Sequence, residues 1–66
     1  MKPTKEGREL KALREGLGLT QGAMAEALGV QRNTVWRAEH GRRPSRVMMT
    51  AARLLARVRE LEGGKA

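Results

Sequence analysis

The chain has no cysteine, no phenylalanine and no tyrosine. Without cysteine, neither a disulfide framework nor a thiolate zinc site is open to it. Trp36 is its only aromatic residue, so the core has to be assembled from Leu, Val, Met and Ala. There is one histidine, no glycine-rich phosphate loop and no pair of acids placed for a cleft, and no enzyme is expected. Nothing implies a cofactor, a metal or a small-molecule effector. No apolar run approaches a membrane span, and no apolar signal core follows the N-terminus, so a cytoplasmic protein is expected.

What is present fits one small domain over 1–66. A domain of this size buries only roughly 60% of its unfolded surface, so helix packing, helped by a partner subunit, has to hold it. Lys and Arg number 14 against 7 acidic residues, for a formal net charge of +7. Such an excess favours polyanions and speeds encounter with them. Ten of the 14 cations are Arg. Arg suits bidentate contacts to phosphate or guanine better than Lys, although a GC-rich genome gives the same bias.

Four helices and no strand are expected. Met1 to Pro3 reads as a loose basic arm. Thr4 can cap a helix over Lys5 to Glu15, with Gly7 weakening its first turn. Leu10, Leu13 and Leu17 share its buried stripe. Gly16 and Gly18 end it, and Leu17 and Leu19 turn back to the core. Thr20 caps a second helix, Gln21 to Leu28, with Met24, Ala25 and Leu28 inward. Gly29 stops it and Val30 anchors the turn. A third helix runs from Arg32 to His40, ended by Gly41. Arg42, Arg43 and Pro44 form a basic loop. Ser45 caps a fourth helix, about Arg46 to Leu61, whose stripe is Val47, Ala51, Leu54, Leu55, Val58 and Leu61. Met48 and Met49 read as gap-filling or interface residues. A tail over 63–66 is expected to fray.

The third helix separates into two sides. At about 100° per residue, Arg32, Trp36, His40, Asn33 and Arg37 fall within an arc of about 140°. Thr34, Ala38 and Val35 occupy the opposite side, which is small enough to pack close on the second helix. The first side has the groups a major-groove reader needs: Arg can donate twice to guanine O6 and N7, and Asn can bridge adenine N6 and N7. Gln31 and Arg32 open the helix, where side chains reach base edges. Trp36 either covers a thymine methyl or sugar or is an inward anchor. His40 has no cluster around it and reads as a bystander.

The segment resembles the Cro/repressor-type helix-turn-helix family, also called XRE or lambda repressor-like. The resemblance rests on Leu19-Thr20-Gln21, Ala25, Leu28-Gly29-Val30, Thr34-Val35, Glu39 and Gly41, supported by Leu13-Arg14 before the motif and Arg42-Arg43-Pro44 after it. It covers about residues 8 to 58, with the helix-turn-helix over about 20–40. It implies an all-α, compact four- to five-helix domain. It further implies base contacts from Gln31, Arg32, Asn33, Trp36 and Arg37. Phosphate contacts are implied for Gln21, Thr34, Arg42, Arg43 and Arg46, with Gln21 bonding a phosphate or supporting the reading helix. Arg14 and Glu39 match a structural ion pair. The chain departs from the family pattern at three places. Gly22 and Ala23 weaken the second helix, Ala38 leaves space for a Leu or Met from the fourth, and Trp36 replaces a smaller or polar residue.

The expected function is a sequence-specific, double-stranded DNA-binding transcription regulator, most simply a small dimeric autorepressor of a phage or bacterial operon acting on an inverted repeat. An activator is also compatible with the sequence. Leu55, Val58 and Leu61 are the candidate homodimer surface, or else they extend the edge of the core. The alternatives are an antitoxin that binds a toxin protein as well as its own operator, and a protein-interaction module.

Overall fold

The computed structural model describes residues 2–63. Met1, at the start of the expected arm, and the expected tail from Gly64 onward lie outside the described residues. The order is α1 (Lys5–Gly16), α2 (Gln21–Leu28), α3 (Arg32–Glu39) and α4 (Arg46–Gly63), and no strand occurs among the described residues. No described helix is long and apolar enough to cross a membrane.

Hydroxyl caps start three of the four helices. Thr4 Oγ1 accepts from Gly7 N at 2.9 Å, Thr20 Oγ1 from Ala23 N at 3.1 Å, and Ser45 Oγ from Met48 N at 3.1 Å. Each bond satisfies an amide that the first helical turn leaves open. The ends of α1, α2 and α3 share one device as well. The residue after the closing glycine donates its N–H to the carbonyl five positions back: Leu19 to Arg14, Val30 to Ala25 and Arg42 to Arg37. Gly29 sits at φ 72° and Gly41 at φ 135°, backbone that side chains rarely tolerate. After the first two turns the donor is apolar and half-buried against the core (Leu19, Val30). After the third it is Arg42, exposed.

The core comprises Leu10, Leu17, Met24, Ala25, Val35, Ala38, Met48, Met49 and Ala52. Leu13 and Leu28 pack at its margin. The inward faces of α1, α2 and α3 follow the helical period of the sequence, except that Thr34, expected on the inward side of α3 with Val35 and Ala38, is exposed and Glu39 is buried in its stead. The phase of α4 does not: its core side is Met48, Met49 and Ala52, with Leu55 and Ala56 at the margin. Val47, Leu54, Val58 and Leu61 are exposed instead. α4 is apolar on two sides, and periodicity alone selects the side with the bulkier branched residues. The unbranched methionines share the core with the small Ala38 and Ala52, and flexible side chains of that kind adapt to irregular space between helices. Leu55 thus packs at the core margin and does not stand on the open face with Val58 and Leu61.

Gly7 also has a role beyond its poor helix propensity. It is buried, and a Cβ there would collide with the backbone carbonyl of Ala38. The missing side chain lets α1 approach α3 at backbone distance. Gly22 has no such role, since a Cβ there would meet only Thr20 Oγ1, at 4.0 Å. Gly7→Ala should therefore lower stability by about 1–3 kcal/mol through overpacking. Gly22→Ala should raise it by about 0.5–1 kcal/mol through helix propensity. Urea unfolding followed by far-UV circular dichroism measures both.

α1 is tied to α4 by a bidentate pair: Arg53 Nε and Nη2 donate to the two Glu9 carboxylate oxygens at 2.7 and 2.9 Å. These bonds hold the Glu9 carboxyl below its ordinary value of 4.5. A lowered folded-state pKa gives stability that is present above the ordinary value and lost as pH falls through the folded one. The pair lies on the surface, so the effect is small and salt-sensitive. Arg53→Gln should slightly reduce the melting temperature at neutral pH. The difference from the unsubstituted chain should disappear below the carboxylate range, as read from melting curves across acidic pH.

Candidate nucleic-acid interface

The back of α3 is fixed by a buried carboxylate. The Glu39 side chain is 1% exposed. Arg14 Nε donates to its Oε2 at 2.7 Å and Arg14 Nη2 to its Oε1 at 3.2 Å. Gln21 Nε2 donates to the same Oε1 at 3.1 Å. Arg14 Nη1 also donates to the Leu19 carbonyl at 2.9 Å. One carboxylate thus joins the last turn of α3 to α1, to the first residue of α2 and to the turn between those two helices. Of the two roles that the resemblance implies for Gln21, support of the reading helix is the one visible in this geometry.

The front of α3 is open. Val35, Ala38 and Glu39 are buried, while Arg32, Asn33, Thr34, Trp36 and Arg37 are exposed, Trp36 at 50%. Trp36 is therefore not an inward anchor. Among the described residues, no hydrogen bond or ion pair engages the side chains of Arg32, Asn33 or Arg37. Their donors are available to an external acceptor. Gln31 occupies the N-cap position of α3, is exposed and makes no side-chain cap bond.

His40, which the sequence offers as a bystander, belongs to this face. Its ring stacks on the Trp36 indole, with centroids 4.2 Å apart and planes at 15°. Its Nδ1 lies 2.7 Å from the Trp36 carbonyl oxygen. A carbonyl only accepts, so in this contact Nδ1 carries the hydrogen. The two rings form one plate in the middle of the exposed side. The signal was in the sequence, because His40 is four residues after Trp36 and falls within the same polar arc.

The basic loop continues the face toward α4. Thr34, Arg37, Arg42, Arg43 and Val47 line one open groove of about 450 Å³ between the flank of α3 and the start of α4. Arg42 and Arg46 are exposed. Arg43 is also exposed, but its Nη2 donates to Glu6 Oε2 of α1 at 3.1 Å. An exposed pair of this kind is worth little, and a phosphate can displace it. Before any ligand arrives, Arg43 is thus partly neutralised, which the sequence did not reveal.

The Arg14–Glu39 pair predicts an asymmetry. Arg14→Met strands a deeply buried carboxylate and should cost about 3–5 kcal/mol. Glu39→Gln leaves Arg14 its bond to the Leu19 carbonyl and partial access to water, and should cost less. Urea denaturation of the two variants distinguishes them, and equal losses would contradict the burial difference.

The fold is a small all-helical unit with one helix held from behind and open in front, and one comparison with known proteins identifies it. A family model described as a helix-turn-helix domain matches residues 7–64, taking in α2, the turn at Gly29 and α3 together with nearly all of the flanking helices. Neither the curated proteins nor the solved structures yield a match. With the match extending over most of its length, the chain belongs to the helix-turn-helix domain family.

Proposed function

We propose that this protein is a sequence-specific regulator of transcription that lays α3 in the major groove of double-stranded DNA. The observation that carries this reading is the division of α3: its back is locked by Glu39, and Arg32, Asn33 and Arg37 are left exposed with no partner among the described residues. Family membership supports DNA as the ligand. The net charge of +7 supplies long-range attraction to a polyanion.

In this reading Arg32, Asn33 and Arg37 contact base edges, with Gln31 at the groove margin. The Trp36–His40 plate covers an apolar edge such as a thymine methyl. Arg42, Arg43 and Arg46 grip the sugar-phosphate backbone on the α4 side, and Thr34 contacts a phosphate near the start of α3. Gln21 has its amide shared with Glu39 and acts mainly as a support. Phosphate contacts set the register and most of the salt dependence, while base contacts set the sequence. One reading head recognises few base pairs, so the protein works as a homodimer on an inverted repeat. Occlusion of a promoter by the bound dimer is the simplest mode of repression.

Selection of bound oligonucleotides from a random pool tests the reading, and a palindromic consensus is expected. On that consensus, Arg37→Ala and Asn33→Ala should each cost about 1–3 kcal/mol and relax one base position. Arg43→Ala should weaken all sequences alike and reduce the salt slope by about 1. Unchanged binding by both α3 variants would show that this helix does not read bases.

A further inference from the structure

The outer side of α4 has no occupant among the described residues. Val47, Leu54, Val58 and Leu61 are 78%, 57%, 52% and 62% exposed. Together with the half-buried Ala51 they fall at 47, 51, 54, 58 and 61, steps of four, three, four and three. That is the alternation of a heptad seam, with Ala51 and Val58 at a positions and Val47, Leu54 and Leu61 at d positions. The core side of the same helix, formed by Met48, Met49 and Ala52, lies on the other flank. One apolar stripe seats a helix on its own core, and a second one left exposed marks an interaction surface.

We propose that the partner on this surface is the α4 of a second copy of this chain, packed in parallel and in register as a short two-stranded coiled coil. It specifies the contact surface of the homodimer proposed above, and rests on that reading only for its link to an inverted repeat. Two features select the same helix in parallel. Over the second half of the seam, a β-branched residue at a (Val58) lies between two Leu at d (Leu54, Leu61), the combination that favours two parallel strands, while Val47 and Ala51 continue the apolar stripe without adding to that preference. In the same frame Arg57 falls at g and Glu62 at e, five residues later. Across a parallel pair, g of one helix faces that e position of the other, so the arrangement sets Arg57 beside Glu62 of the second copy, twice by symmetry. A reversed partner pairs g with g and e with e and brings no such opposite charges together. The seam spans about 21 Å at about 1.5 Å per residue. Its first member, Val47, lines the groove with Arg42 and Arg43. Pairing along α4 therefore places the basic loops of the two copies on either side of the two-fold axis.

The absence of cysteine makes the geometry directly testable. Under mild oxidation without DNA, Leu54→Cys and Leu61→Cys should each cross-link to their own kind. If Leu61→Cys fails to self-link but joins Ala51→Cys in a mixture, the partner is reversed and the parallel arrangement is wrong. Sedimentation equilibrium should show a concentration-dependent dimer that Leu54→Glu abolishes. Leu54 is exposed in the single chain, so this variant should keep its far-UV circular dichroism and separate dissociation from misfolding. Arg57→Glu should weaken the dimer about three- to tenfold, and adding Glu62→Arg should restore it. A chain that stays monomeric at every concentration overturns the proposal, whether a lipid surface or another protein then covers the stripe. The two readings also fail separately. A half-site consensus bound by a monomer removes the seam and keeps the reader. An intact dimer that selects no DNA sequence removes the reader and keeps the seam.

Discussion

The burial of one carboxylate at the end of α3 is the constraint on which the rest of the interface depends. A charge taken out of water is tolerated only when its partners are close and well aimed, and Glu39 has a bidentate arginine and an amide. Those partners come from α1 and from the first residue of α2, so satisfying the charge also fixes the angle at which α3 leaves the domain. Close by, the missing side chain of Gly7 brings α1 against the backbone of Ala38. Polar geometry and steric fit therefore act on the same short stretch of α3. The helix is held from behind by contacts that none of its outward side chains share, so its front can vary without loosening its seat.

Much of this was legible in the sequence, for identifiable reasons. Thr4, Thr20 and Ser45 are good hydroxyl caps just ahead of apolar periodicity, and the glycines at 18, 29 and 41 punctuate the chain where left-handed or otherwise rare backbone is needed. Helix starts and stops are local physics, and the boundaries fall within two residues of the expected ones. The two sides of α3 were also readable, because strongly polar residues and small apolar ones separate cleanly at the helical period.

What escaped the sequence depends on contacts between distant segments. Gly7 reads as a weak point until the carbonyl of Ala38 is seen against it. The pairs Arg43–Glu6 and Arg53–Glu9 join residues 37 and 44 positions apart, and any of several arginines fits either acid on sequence grounds. The phase of α4 was misread because the helix is apolar on two sides. Hydrophobicity favours the branched side chains, and only the packing of α4 on the other helices places Met48 and Met49 in the core. His40 was passed over for a different reason: read as a lone histidine it suggests no chemistry, and its place one turn after Trp36, which the sequence does show, gains meaning only from the stacked rings.

That stacked plate has an optical consequence. In most small domains tryptophan and tyrosine are part of the core, and their emission reports whether the protein is folded. Here the single fluorophore sits on the outward side of α3 with an imidazole 4.2 Å away, and no tyrosine contributes a background. Ultraviolet emission from this protein is therefore a local signal, set by what touches the indole from outside and by the ring stacked beside it. The outward face of α3 carries its own built-in lamp, and the interior is dark.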